Sequence, residues 1–152
     1  MPPVLESQPI LAGLRGLFCK DAPRQALLQY TADRIQAAGA PYTSVYLYML
    51  HGDELLLEAW SGRHTEHTRI PVGKGVCGTA VATGEDQNVG DVRAIGNYIA
   101  CNTFTRSELV VLIRRGKTIL GQIDVDSDVP DPFTADEEAA VRAVADGLAV
   151  LL

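Results

Sequence analysis

The period of the sequence changes at residues 42–50. Ahead of them apolar residues recur at broadly helical spacing. From Tyr42 to Leu50, Val45, Leu47 and Met49 face one side while Tyr46, Tyr48 and Leu50 face the other. A strand apolar on both faces belongs inside a sheet that is covered on both sides. His51-Gly52-Asp53 reads as a turn, and Glu54 to Trp60 returns as a second strand. A second hairpin runs from Glu108 to Ile113, turns around Arg115-Gly116-Lys117 and returns from Thr118 to Asp126. The sheet is therefore mainly antiparallel.

Helices flank this sheet. Leu5, Ile10, Leu11, Leu14, Leu17 and Phe18 predict a helix within residues 4–18. Asp21 reads as the N-cap of a second helix with Pro23 in its first turn, carried on by Leu27, Tyr30 and Ile35 and ended by Gly39 and Pro41. Thr134 with Glu137 forms a capping box, ahead of an apolar face of Val141, Val144, Leu148 and Leu151. The order is N-terminal helices at about 4–38, sheet and pocket at about 42–128, and a C-terminal helix at about 134–152. This is an α+β fold over residues 1–152, with the terminal helices packed on one face of the sheet.

Charge and composition exclude several classes of function. The formal net charge is −6, and the longest basic cluster is the pair Arg114-Arg115. Neither a nucleic-acid partner nor an anionic membrane surface suits that balance. No run approaches the roughly 18 apolar residues of a membrane span. The opening residues carry Glu6 and no basic segment, so a cytoplasmic location is expected. Cys19, Cys77 and Cys101 are too few for a disulfide scaffold and are expected as thiols.

Three segments could carry chemistry. Gly73-Lys74-Gly75-Val76-Cys77-Gly78 matches GxGxxG, but hairpins flank it where a dinucleotide site needs a parallel βαβ unit. Thr79-Ala80 stands where a P-loop needs Lys-Ser/Thr. A flexible turn before a short helix, Val76 to Thr83, is the remaining reading. It puts Cys77 in the first turn, where the helix dipole lowers a thiol's pKa. Asp124-Val125-Asp126-Ser127-Asp128 lacks the Gly and Glu of a calcium loop. As a strand it sets Asp124 and Asp126 on one face, with Glu108 on the partner strand. Such a face is either solvated or a pocket that holds an ammonium group or a proton. Glu85 to Thr105 is a long polar stretch that carries Cys101. The histidines show no metal-ligand spacing with the cysteines, so no metal is expected.

Residues 69–82, Tyr98-Ile99-Ala100-Cys101, Ser107-Glu108 and Gly121 to Ser127 together resemble the free methionine-(R)-sulfoxide reductases, which are single-domain GAF proteins. The spacings of 24 positions from Cys77 to Cys101 and seven from Cys101 to Glu108 agree with that family. The resemblance implies that Cys101 is the catalytic cysteine and Cys77 a resolving one. It implies that Glu108, Asp124 and Asp126 bind the substrate, with Tyr48 as a pocket aromatic. His67 stands where the family has a further cysteine, and Ser44 where it has a tryptophan against the substrate methyl; Trp60 is the candidate to replace the latter.

The implied reaction is thiol-dependent reduction of free L-methionine-(R)-sulfoxide through a sulfenic acid at Cys101, with no bound cofactor. The implied partners are the free amino acid sulfoxide, a thioredoxin-like or small-thiol reductant, and a second copy of the chain in a homodimer. The alternative reading is a non-catalytic GAF module that binds a small ligand or senses redox state.

Overall fold

The computed structural model describes residues 3–96 and 104–152. The helices are α1 (Ser7–Cys19), α2 (Arg24–Gln36), α3 (Gly75–Thr83) and α4 (Ala135–Leu151). The strands are β1 (Ser44–His51), β2 (Glu54–Ser61), β3 (Arg69–Pro71), β4 (Gln87–Val89), β5 (Ser107–Arg115) and β6 (Thr118–Ser127). They form one sheet in the order β3-β2-β1-β6-β5-β4, and every neighbouring pair is antiparallel.

The double-sided pattern of β1 places it between β2 and β6. Val45, Leu47 and Met49 join Leu109, Val111, Ile123 and Val125 in a core roofed by α1, α2 and α4. Tyr46 and Tyr48 lie on the opposite face with Val110 and Leu112, under Val76, Cys77 and Ala80 of α3. The terminal helices thus share one face, as the sequence predicts, and the site occupies the other.

Several local expectations are corrected. The first helix starts at Ser7, so Val4 and Leu5 precede it. Their backbone N–H groups donate to Glu137 at 2.6 and 3.2 Å, and the Tyr42 hydroxyl donates to the same carboxylate at 2.6 Å. Thr134 Oγ1 accepts from Glu137 N as a capping box requires. The Glu137 side chain, however, bonds the N-terminal segment instead. The N-cap of α2 is Pro23 rather than Asp21, which takes φ 59° in the preceding turn. Proline suits that junction because it fixes φ and brings no N–H to satisfy. The polar stretch from Glu85 contains the edge strand β4 and a 3₁₀ turn, Val92–Ala94. β3 and β4 have three residues each, too few to display an alternation.

Candidate active site

The β5–β6 hairpin fixes the register of the acidic residues. Glu108 pairs with Asp126, and Val110 with Asp124. Period two turns all three carboxylates to the face that carries α3. Glu108, Asp124 and Asp126 are 5%, 2% and 3% exposed, so the solvated-face alternative does not hold. Helix α3 seals this face. Its approach depends on Gly78, where an added Cβ would sit 2.5 Å from the Pro71 carbonyl oxygen. Gly73 N donates to Gly78 O, and Gly78 N to Lys74 O, both at 2.8 Å. The glycine motif therefore serves close backbone packing.

Cys77 faces the acids. Its Sγ lies 3.7 Å from Glu108 Oε2, and one ligand atom from each of Cys77, Glu108 and Asp124 falls within 4.8 Å of the others. Burial pushes the Cys77 thiol well above its ordinary range, and the negative charges of Asp124 and Glu108 push it further. This overturns the expectation of a lowered pKa. The residue does sit in the first turn of α3, but a helix dipole contributes about 0.3–1 kcal/mol, less than the desolvation of a fully buried thiolate. Burial also raises the carboxyl of Asp124, opposed by its hydrogen bonds with Glu108 and Cys77. Asp124 is thus a buried carboxyl biased towards its protonated form.

These three residues open onto a small cavity of about 10 Å³, room for about one water, whose walls also include Tyr48, His67, Ile70 and Lys74. Of these, Ile70 and Lys74 escape sequence reasoning. The one signal for Lys74 is its place between two glycines at the mouth of a short helix. The rim is the loop between β2 and β3. Tyr48 Oη donates to His67 O and Tyr46 Oη to Arg63 O, each at 2.7 Å. Arg63 N donates to Ser44 Oγ at 2.9 Å, and both Arg63 terminal nitrogens donate to Asp128 at 2.6 Å. The Arg63 guanidinium also stands 5.2 Å over the Phe104 ring. Ser44 therefore meets loop backbone. Trp60 is 38% exposed and packs edge-on against His64 at 5.9 Å; it is not among the cavity walls. Cys101 lies outside the described residues, and Cys19 is exposed at the end of α1.

A family model described as the GAF domain matches residues 23–152. Free methionine-R-sulfoxide reductase of Escherichia coli is 35% identical over 133 residues, covering 88% of this chain and 76% of that protein. The chain belongs to the GAF domain family and is homologous to free methionine-R-sulfoxide reductases.

Solved structures agree with this. The type II free methionine-R-sulfoxide reductase from Thermoplasma acidophilum superposes with a TM-score of 0.81 at 34% identity, covering 84% of this GAF domain and 91% of that chain. The enzyme from Neisseria meningitidis in complex with its substrate superposes with a TM-score of 0.84 at 31% identity, covering 93% and 85%. In this GAF domain, the residues that the sequence singles out for chemistry divide into two sets. Tyr48, Cys77, Glu108 and Asp124 share the cavity, and Asp126 adjoins it through Glu108. Trp60 does not join them. No described helix is long and apolar enough to cross a membrane.

Proposed function

We propose that this GAF domain reduces free L-methionine-(R)-sulfoxide, with Cys101 as nucleophile and a thiol as electron source. The observation that carries this reading is the sealed group of Glu108, Asp124 and Cys77 at the cavity of a chain whose relatives are free methionine-R-sulfoxide reductases.

A free amino acid brings an ammonium group, and buried carboxylates suit it. Glu108 and Asp126 supply that charge. Asp124, biased towards its neutral form by burial, offers a hydrogen bond to the sulfoxide oxygen. The Cys101 thiolate attacks the sulfoxide sulfur. The S–O bond breaks, methionine leaves, and Cys101 holds the oxygen as sulfenic acid. A thiol then displaces that oxygen as water and forms a disulfide, and a second thiol releases Cys101 by exchange. The net change is one sulfoxide and two thiols to one methionine, one disulfide and one water.

Cys77 is the resolving candidate within the chain. Its buried, high-pKa thiol attacks slowly, so resolution by a small dithiol or thioredoxin-like protein competes with it. Pairing of two copies through α1 and α4 belongs to the same proposal, supported by the exposure of Phe18 and Val150 on those helices.

The test is reductant consumption with the free (R) and (S) sulfoxides and with a peptide-bound sulfoxide. Turnover is expected with the free (R) form alone, and Cys101→Ser should abolish it. Near-native turnover in Cys101→Ser would overturn the assignment. Turnover with the peptide but not the free amino acid would overturn the substrate class.

A further inference from the structure

We infer that Cys77, Glu108 and Asp124 form a site for one divalent cation of the zinc group, and that the bound cation blocks the cavity. The second half rests on the function proposed above; the first does not.

Three observations carry the metal site. The donor set is one sulfur and two carboxylate oxygens, with one ligand atom from each residue within 4.8 Å of the other two. The Cys77 Sγ to Glu108 Oε2 separation of 3.7 Å is close to the edge of a tetrahedral zinc site, about 3.6 Å for Zn–S near 2.3 Å and Zn–O near 2.1 Å. Independently, Asp124 is 2% exposed and lines the cavity, and although its carboxyl hydrogen-bonds Glu108 and Cys77, its Oδ1 has no hydrogen-bond partner among the described residues. A buried carboxylate oxygen rarely stays unpaired unless something arrives to take it.

The chemistry points to a cation of intermediate softness. Thiolate selects against magnesium and calcium, and a mixed sulfur–oxygen set suits zinc or cadmium. Cys77, Glu108 and Asp124 repel one another when all three are ionised. A dication relieves that repulsion. On binding, the Cys77 thiol and the carboxyls give up their protons to solvent, so affinity rises with pH. No electron transfer is involved. The three donors line the cavity, so water or another small ligand from it would complete a four-coordinate shell. The cation then stands where a sulfoxide and its ammonium group would sit.

The experiment uses the Cys19→Ser/Cys101→Ser protein, in which Cys77 is the one remaining thiol, titrated with cadmium chloride. A thiolate-to-cadmium charge-transfer band should grow and saturate at one equivalent, and zinc chloride should bleach it. Adding Asp124→Asn should weaken cadmium binding by about tenfold or more. No band in this folded single-thiol protein, checked by circular dichroism, overturns the site. Unchanged affinity in Asp124→Asn overturns it as well. A separate arm follows single turnover of reduced wild-type protein with free methionine-(R)-sulfoxide, without added thiol. Zinc chloride should slow methionine release, and a chelator should restore it. A saturating cadmium band together with zinc-insensitive turnover supports the metal site and counts against the cavity as the place of reduction.

Discussion

The Tyr48 hydroxyl donates to the main-chain oxygen of His67 across 2.7 Å, from a ring that is 1% exposed. That bond ties the central strand β1 to the loop between β2 and β3. Tyr46 repeats it at Arg63, and the two rings stand 6.3 Å apart. The rim of the cavity is therefore held from the middle of the sheet.

Tyr48→Phe should keep the fold and release this tie. Removing the donor leaves a half-buried carbonyl to find another partner, a cost of about 1–3 kcal/mol. For a chain of this length that is a drop in melting temperature of roughly 2–10 °C. Calorimetry reads the first effect, and steady-state kinetics should show KM rising more than kcat falls. An unchanged KM would mean that the loop is held without this bond.

The Asp124 carboxyl makes stability depend on pH in a definite direction. Burial raises its pKa in the fold above the ordinary 3.8, so the protonated form is the favoured one. Its contribution is present in full below the ordinary carboxylate range. It is lost as pH rises through the raised value in the folded state. Asp124→Asn cannot ionise. The melting temperature of Asp124→Asn minus that of the wild type should therefore grow from acid to neutral pH, while kcat/KM falls about tenfold or more. A difference that stays flat across that range would show that Asp124 ionises freely in the fold.

Thiol labelling separates the cysteines. Cys19 is exposed, while Cys77 is buried, with its thiol pushed up by desolvation and by Asp124 and Glu108. At pH 7.5 iodoacetamide should alkylate Cys19 at least about tenfold faster than Cys77, because the thiolate is the nucleophile. Unfolding in guanidinium should bring the two rates together. Mass spectrometry of timed digests measures both. Comparable rates in the native protein would contradict the burial argument.

Glu137→Gln tests the clamp on the N-terminal segment. Its carboxylate accepts from Val4 N, Leu5 N and the Tyr42 hydroxyl. An amide presents a donor to one of those donors, so the substitution should cost about 1–3 kcal/mol. The melting temperature should fall with kcat/KM unchanged, since α4 lies on the face of the sheet away from the cavity. A matching loss of activity would link the two faces.

Much of this was legible in the residues. The double-sided β1, both long hairpins and the apolar stripe of α4 rest on repeats of two or about 3.6, which local sterics enforce. The common face of Asp124 and Asp126 follows from the same period. β3 and β4 were not legible, because a three-residue edge strand owes its pairing to the neighbour it meets. Glu137 reads as a local cap for the same kind of reason. A capping box needs only four adjacent residues, whereas the bonds Glu137 makes reach Val4 and Leu5 through the fold.

The sequence by itself determined the α+β order of elements, the two-sided cover of the sheet and the residue types available for chemistry. Only the tertiary structure decided what those residues are electrostatically. From the sequence, Cys77 at a helix start reads as an activated thiol, and Asp124 as one carboxylate of an exposed or pocketed pair. Packing α3 over the β5–β6 hairpin excludes water from both and faces them towards Glu108. Desolvation then outweighs the helix dipole, raising the thiol and the carboxyl together. A pKa is a property of surroundings, and the surroundings of these groups come from segments about 30 to 50 positions apart in the chain.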